Sequence, residues 1–249
     1  MENKLKVKIY ETRKEMGEAA ATLAAEKINE LLLQKEEVNI IFAAAPSQNE
    51  FIASLIEHNV DWSRINAFHM DEYVGLDADA PQGFGNFLKD RIFSKVSFKS
   101  VTYLNGNAEN IEAECQRYED MLNTKVTDIV CMGIGENGHI AFNDPHVADF
   151  NDDKLVKVVD LDMQCRQQQV NDGCFATMTD VPTHALTLTI PALMKAAHIF
   201  CMVPGALKAN AVYNTLHQAQ SPLFPSTILR SHPNAILFLD KDSSHKLDK

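Results

Sequence analysis

Strand-like and helix-like segments alternate along the 249 residues, and this predicts an α/β fold with a doubly wound, mostly parallel sheet and helices on both faces. Three observations carry the prediction. Short apolar runs such as Val38 to Ala43, Ile129 to Met132 and Ile199 to Val203 have the length and composition of buried strands. Segments with apolar residues at helical spacing separate them. No repeat, low-complexity tract or Pro/Gly/Ser-rich linker divides the chain, so residues 1–249 read as a single domain.

The elements follow in order. Leu5 to Tyr10 alternates like a strand, and Thr12 to Leu33 is an amphipathic helix with Met16, Ala20, Leu23, Ala24, Ile28, Leu31 and Leu32 at helical spacing. Val38 to Ala43 is the second strand. Ser47 and Glu50 fit a capping box, so a helix is predicted to start at Ser47 and to include Ile52 to Leu55. Ile65 to Met70 reads as a strand, and Phe84 to Phe93 and Ile111 to Leu122 as helices. Further strands are predicted at Ile129 to Met132, Leu155 to Val159, Ala185 to Ile190, Ile199 to Val203 and Ala235 to Leu239, with a helix from Ala206 to Leu216. The polar tail Lys241 to Lys249 reads as a frayed end.

Composition narrows the function. Against 23 basic residues stand 34 acidic ones, a net charge of −11, which argues against a nucleic-acid partner but leaves room for a phosphorylated small molecule held by one or two local cations. The segment MENKLKVKIYETRKE has no apolar core of signal-peptide length, and no apolar run approaches the roughly 18 residues of a membrane span. Cys115, Cys131, Cys165, Cys174 and Cys201 form no C-x-x-C pair and are odd in number, so a reduced, cytoplasmic protein is expected.

The stretch from Asp128 to Pro145, DIVCMGIGENGHIAFNDP, concentrates the chemistry. A buried strand runs into Gly133, Gly135 and Gly138, where the chain must turn, and His139 follows at once, with Asn137 before it and Asp144 after it. GIGENG matches G-x-G-x-x-G, yet His139 to Phe142 leaves only about one helical turn before Pro145, too little for a dinucleotide crossover helix. Imidazole titrates near neutrality and suits acid–base work, and a carboxylate on its other nitrogen fixes its tautomer. Asp71 and Glu72 are adjacent carboxylates at the carboxyl end of another strand, either a solvated turn or an acid–base pair. Ser47, at a helix start, is a cap or an anion contact. Lys208 follows a strand and Gly205. His139, Asp144, His146 and Asp149, or His69 with Asp71, offer metal-ligand types but no recognised spacing, so no metal and no cofactor are expected.

GIGENGHIAFNDP resembles the signature of the glucosamine-6-phosphate deaminase/isomerase family, usually G-x-G-x-(N/D)-G-H-I-(A/G)-F-N-E-P, and FHMDEYVGL (Phe68 to Leu76) resembles its (F/N)-x-D-E-Y-x-G-L. LNGNAENIEAECQRYE, VPTHALTLTI and VPGALKA fall in family order. The resemblance implies a Rossmann-like fold of the sugar-phosphate isomerase type, a cytoplasmic enzyme of amino-sugar catabolism without cofactor, and a homo-oligomer as one possible assembly. It implies that Asp71 moves a proton between C2 and C1 of the open-chain sugar. His139 opens the ring, assisted by Asn137 and Asp144. Ser47, Gly135, Gly138, Lys208 and Glu72 hold substrate or its phosphate. Four departures stand out: Ala43 to Pro46 replace a usually glycine-rich phosphate loop, Asn137 stands at the first of two acidic positions flanking the histidine, Asp144 replaces a glutamate at the second, and a family arginine has no counterpart around Asp172 to Phe175, leaving Arg166 or Arg230 as substitutes. A galactosamine-6-phosphate deaminase fits the motifs equally. A 6-phosphogluconolactonase-like hydrolase would read D-E-R and G-H-T-A-S, and a sugar-phosphate sensor would lack Asp71 or His139.

Overall fold

Continuous apolar strands need cover on both faces, and the architecture supplies it. The computed structural model describes residues 4–247. In chain order its elements are β1 (Lys6–Tyr10), α1 (Arg13–Leu32), β2 (Val38–Phe42), α2 (Asn49–Leu55), β3 (Ile65–His69), β4 (Asp71–Tyr73), α3 (Phe84–Leu88), β5 (Ser100–Thr102) and α4 (Ile111–Thr124). Then come β6 (Ile129–Met132), β7 (Val156–Asp160), α5 (Met163–Asn171), β8 (His184–Leu188), α6 (Ile190–Met194), β9 (His198–Val203), α7 (Ala209–His217), β10 (Ala235–Asp240) and α8 (Lys241–Ser244).

Seven strands form one parallel sheet in the order β1-β10-β9-β6-β2-β3-β5. Alternate residues of the central strands enter two separate cores: Ile40, Phe42, Cys131 and Met202 face one side, Ile41, Val130, Met132 and Cys201 the other. Helix α1 covers the first side with Met16, Ala20, Ala24 and Ile28, all buried, and starts on the capping box of Thr12 and Glu15. The chain runs outward from β2 to β3 and β5 on one side and resumes on the other with β6 and β9. The switch point between β2 and β6 opens a crevice at the carboxyl ends of the strands.

Two runs predicted as members of this sheet lie elsewhere. β7 and β8 pair antiparallel in a second, three-stranded sheet, β4-β8-β7. β7 exposes alternate residues, as a strand covered on one face does. The expected helix from Phe84 is α3 continued by a π-helical turn over Lys89–Phe93. The tail is not frayed from Lys241: Asp240 caps α8 by accepting from Ser243 N–H at 2.8 Å, while residues 248–249 lie outside the described ones. Among the described residues no helix is long and apolar enough to cross a membrane.

Candidate active site

Asp71 begins β4, two residues beyond the end of β3, and lines a cleft at the switch point. Antiparallel pairing with β8 sets Asp71 opposite Thr187. Two further bonds fix its backbone. Leu188 N–H donates to the Met70 carbonyl at 2.8 Å, and His69 Nδ1, 2.9 Å from the Asp71 carbonyl, donates to it because Nε2 accepts from Leu104 N–H. Burial holds His69 down to about 4, so it stays neutral and positions the strand. The Asp71 carboxylate itself receives no hydrogen bond among the described residues, although the residue is only 6% exposed. Burial, with the charge of Glu72 added, raises its pKa well above the carboxylate range. An unpartnered carboxyl with a raised pKa, open only to a cleft, is suited to act as a base.

Glu72 points away. Its carboxylate accepts from the amides of Tyr73, Phe84 and Gly85 at 2.8–3.0 Å and so anchors the start of α3. Alternation along β4 puts it on the opposite face from Asp71. The expected contact of Glu72 with substrate is therefore corrected to support from behind the site.

His139 comes from the loop after β6. No helix opens at Gly138; a tight turn closes there instead, Gly138 N–H donating to the Gly135 carbonyl and Gly135 N–H to the His139 carbonyl. Gly138 has φ +88°, and a Cβ on Gly135 would sit 2.1 Å from the His139 ring, so both positions need glycine. Asn137 ties the loop together: its Oδ1 accepts from His139 N–H, and its amide donates to Asp144 at 2.9 Å and Asp162 at 3.0 Å. His139 Nδ1 lies 3.0 Å from Asp144 Oδ1, but the ring N–H direction is not aligned on that oxygen, and Nδ1 is a buried atom without a hydrogen bond. Burial alone would raise the pKa of Asp144. The His139 contact, the Asn137 amide and the Asp162 N–H outweigh it and hold the carboxyl low, ionised at neutral pH. The loop is fastened to β8 by Phe142 N–H donating to Thr187 Oγ1 at 3.0 Å and by the Asn143 amide donating to the Leu188 carbonyl at 2.8 Å. One strand thus positions both Asp71 and His139.

Lys208 ends a 3-10 turn (Ala206–Lys208) that follows Gly205 and leads into α7. It lines the cleft 7% exposed, and its ammonium has no hydrogen-bond or ion-pair partner among the described residues. Burial lowers its pKa, opposed by Asp172 and Glu136. An ammonium in that setting calls for an anion. Ser47 also lines the cleft, but the predicted capping box does not form. Ser47 sits in a 3-10 turn (Pro46–Gln48), and Glu50 accepts from Arg13 Nε at 2.7 Å instead. The substitutes suggested for the missing arginine are not in the cleft: Arg166 donates to the carbonyls of Met178 and Val181, Arg230 to those of Leu216 and Gln218.

Two lining residues escaped the sequence reading. Arg13, in the first turn of α1, reaches the cleft beside Ala43–Ser47, and Gln169 of α5 presents a side chain with no hydrogen-bond partner among the described residues. Neither lies in a motif; the packing of α1 on α2 brings in Arg13, and the placement of α5 beside the cleft brings in Gln169. Of the metal sets considered from sequence, the one on His69 is ruled out because both of its ring nitrogens are taken up, and Asp149 turns to Asn151 N–H; His139 and Asp144 stay together, and ligand atoms of Asp144 and exposed His146 lie within 4.8 Å of each other.

Fold and cleft together define an α/β enzyme of acid–base type. The chain belongs to a family described as glucosamine-6-phosphate isomerases/6-phosphogluconolactonase, whose model matches residues 11–238. The glucosamine-6-phosphate deaminases of Bacillus thuringiensis and Bacillus anthracis are each 34% identical to it over 239 residues, 96% of this chain and 88% of theirs. A monomeric glucosamine-6-phosphate deaminase superposes with a TM-score of 0.87 at 31% identity, covering 97% of this chain and 99% of that one. The 6-phosphogluconolactonase of Thermotoga maritima shares the fold, with a TM-score of 0.78 at 23% identity over 96% and 100% of the two chains.

Proposed function

We propose that this enzyme converts glucosamine 6-phosphate and water to fructose 6-phosphate and ammonia. The observation that carries the reading is the unpartnered Asp71 carboxylate sharing one cleft with His139 and Lys208. His139 transfers a proton to the ring oxygen and opens the pyranose. Asp71 takes the C2 proton to give an enolamine, returns it at C1, and leaves an imine at C2. Water adds to that imine and ammonia leaves. Asp144 and Asn137 orient the imidazole loop, and the backbone around Gly135 and Gly138 gives the sugar close access. Lys208, with Ser47 and Arg13, holds the phosphate. Each step needs positioned acid–base groups alone.

The replaced loop supports galactosamine 6-phosphate as a second substrate reading, since Ala43, Ala44, Ala45 and Pro46 line the cleft and reshape its wall. Ammonia release from both amino sugars, with Asp71→Asn as control, tests the proposal. Release from either, lost in the variant, supports it and assigns the C4 epimer; no release from folded protein overturns it, and lactone hydrolysis or ligand binding without turnover would then be assayed. The five free thiols support a cytoplasmic setting. The expected homo-oligomer gains no support from the monomeric relative, and light scattering decides it.

A further inference from the structure

One cluster of ligating side chains lies just beneath the cleft. A ring nitrogen of His139, a carboxylate oxygen of Asp144 and Sγ of Cys165 all lie within 4.8 Å of one another, the first two from the loop after β6 and the third from α5. All three residues are buried, and only the His139 edge reaches the cleft. His139 Nδ1 is left without an aligned hydrogen bond. The Cys165 thiol, on the first turn of α5, plays no part in the acid–base steps.

We propose that His139, Asp144 and Cys165 form a latent site for a thiophilic divalent cation, zinc being the one that fits, and that its occupancy shuts the enzyme off. The donor set is one imidazole, one carboxylate and one thiolate, which zinc accepts and which magnesium and calcium do not. Tetrahedral zinc holds such ligands about 3.3–3.8 Å apart, so the His139–Asp144 pair, now at 3.0 Å, opens slightly to admit the ion. Three protein ligands leave a fourth position for water from the cleft. The outer contacts already suit a metal. Asp162 accepts from Cys165 N–H at 2.6 Å and from the Asn137 amide, while its own N–H donates to Asp144. Coordination displaces the Cys165 thiol proton to solvent and changes no oxidation state. The cation replaces the His139–Asp144 contact and ties up the imidazole; this inhibitory part rests on the function proposed above, whereas the binding part does not.

The test uses cobalt as a spectroscopic stand-in for zinc. Wild-type protein titrated with Co2+ is expected to develop the near-ultraviolet thiolate-to-cobalt band with one ion per chain, bleached by Zn2+. The variants Cys165→Val and Cys165→Ser, each verified as folded by circular dichroism, lose the band, and Asp71→Asn keeps it. In the ammonia assay, Zn2+ inhibits the wild type reversibly on chelation, and the Cys165 variants need at least about ten times more Zn2+ for the same inhibition. Absence of the band in wild type, or a band that survives in both Cys165 variants and disappears in Cys115→Ala/Cys174→Ala, overturns the site. If no amino sugar is turned over, the cobalt titration still decides the binding.

Discussion

Asp71 is the residue on which the proposed chemistry and the stability oppose each other. Its pKa is raised in the folded state, so its contribution to stability is full below the ordinary carboxylate value and is lost as pH rises through the folded one. Above the ordinary carboxylate value the buried carboxyl is therefore a cost the fold carries. Asp71→Asn is expected to lower kcat by about 10²–10⁴ and yet to melt higher, by roughly 2–4 °C per kcal/mol of relieved desolvation. A loss of both rate and stability would show that Asp71 holds structure instead. The pH profile follows from two signs. kcat/KM rises as Asp71 ionises through its raised pKa and falls at high pH as Lys208, lowered by burial, gives up its proton. In Asp71→Asn the rising limb disappears. Lys208→Met is expected to raise KM roughly 10–100-fold with little change in kcat, the worth of one or two charge-assisted hydrogen bonds. Arg13→Gln moves KM in the same direction if it reaches the phosphate, and Arg166→Gln leaves KM alone because its guanidinium serves Met178 and Val181.

At the scale of the element, β8 is what sets the spacing of Asp71 and His139. It pairs with β4, which carries Asp71, and receives Phe142 N–H from the His139 loop on Thr187 Oγ1. Thr187→Val keeps the shape of the fully buried side chain and removes the acceptor, leaving a buried N–H unsatisfied at a cost of about 1–3 kcal/mol. The expected result is a fall in kcat beyond that of Lys208→Met together with a lower midpoint in urea; an unchanged kcat would show that the loop is held by Asn143 alone. This element is also where the sequence was hardest to read. The central parallel strands announce themselves by apolar runs, and the glycine turn before His139 by its composition. β4 is three residues, two of them acidic, and has no apolar signature. β7 and β8 look like further members of the main sheet because a strand pattern does not name its partner. The reading of Ser47 as a cap failed for a similar reason: the spacing of Glu50 was right, but a residue 37 positions away, Arg13, claims that carboxylate. Motif residues are legible one by one; Arg13 and Gln169 enter the site only through tertiary packing.

The whole molecule must also protect the two edges of its parallel sheet, since an unpaired strand edge templates association. One edge is β5, three residues long, which leaves little to pair with. The other is β1, longer and with Val7 and Ile9 exposed at 38% and 53%, a combination that invites a second copy. Lys6 and Lys8, exposed on the same strand, are the guard: two copies laid edge to edge would bring these ammonium groups together. Lys6→Val/Lys8→Val is therefore expected to convert a monodisperse solution into self-associating protein by light scattering at micromolar concentration, with turnover per chain unchanged because β1 contributes nothing to the cleft. The control is built into the charge. Removing two lysines makes a chain of net charge −11 more negative, which on its own drives copies apart. Association despite that added repulsion points to the strand edge; continued monodispersity would mean that twist and exposure of β1 protect it without the lysines.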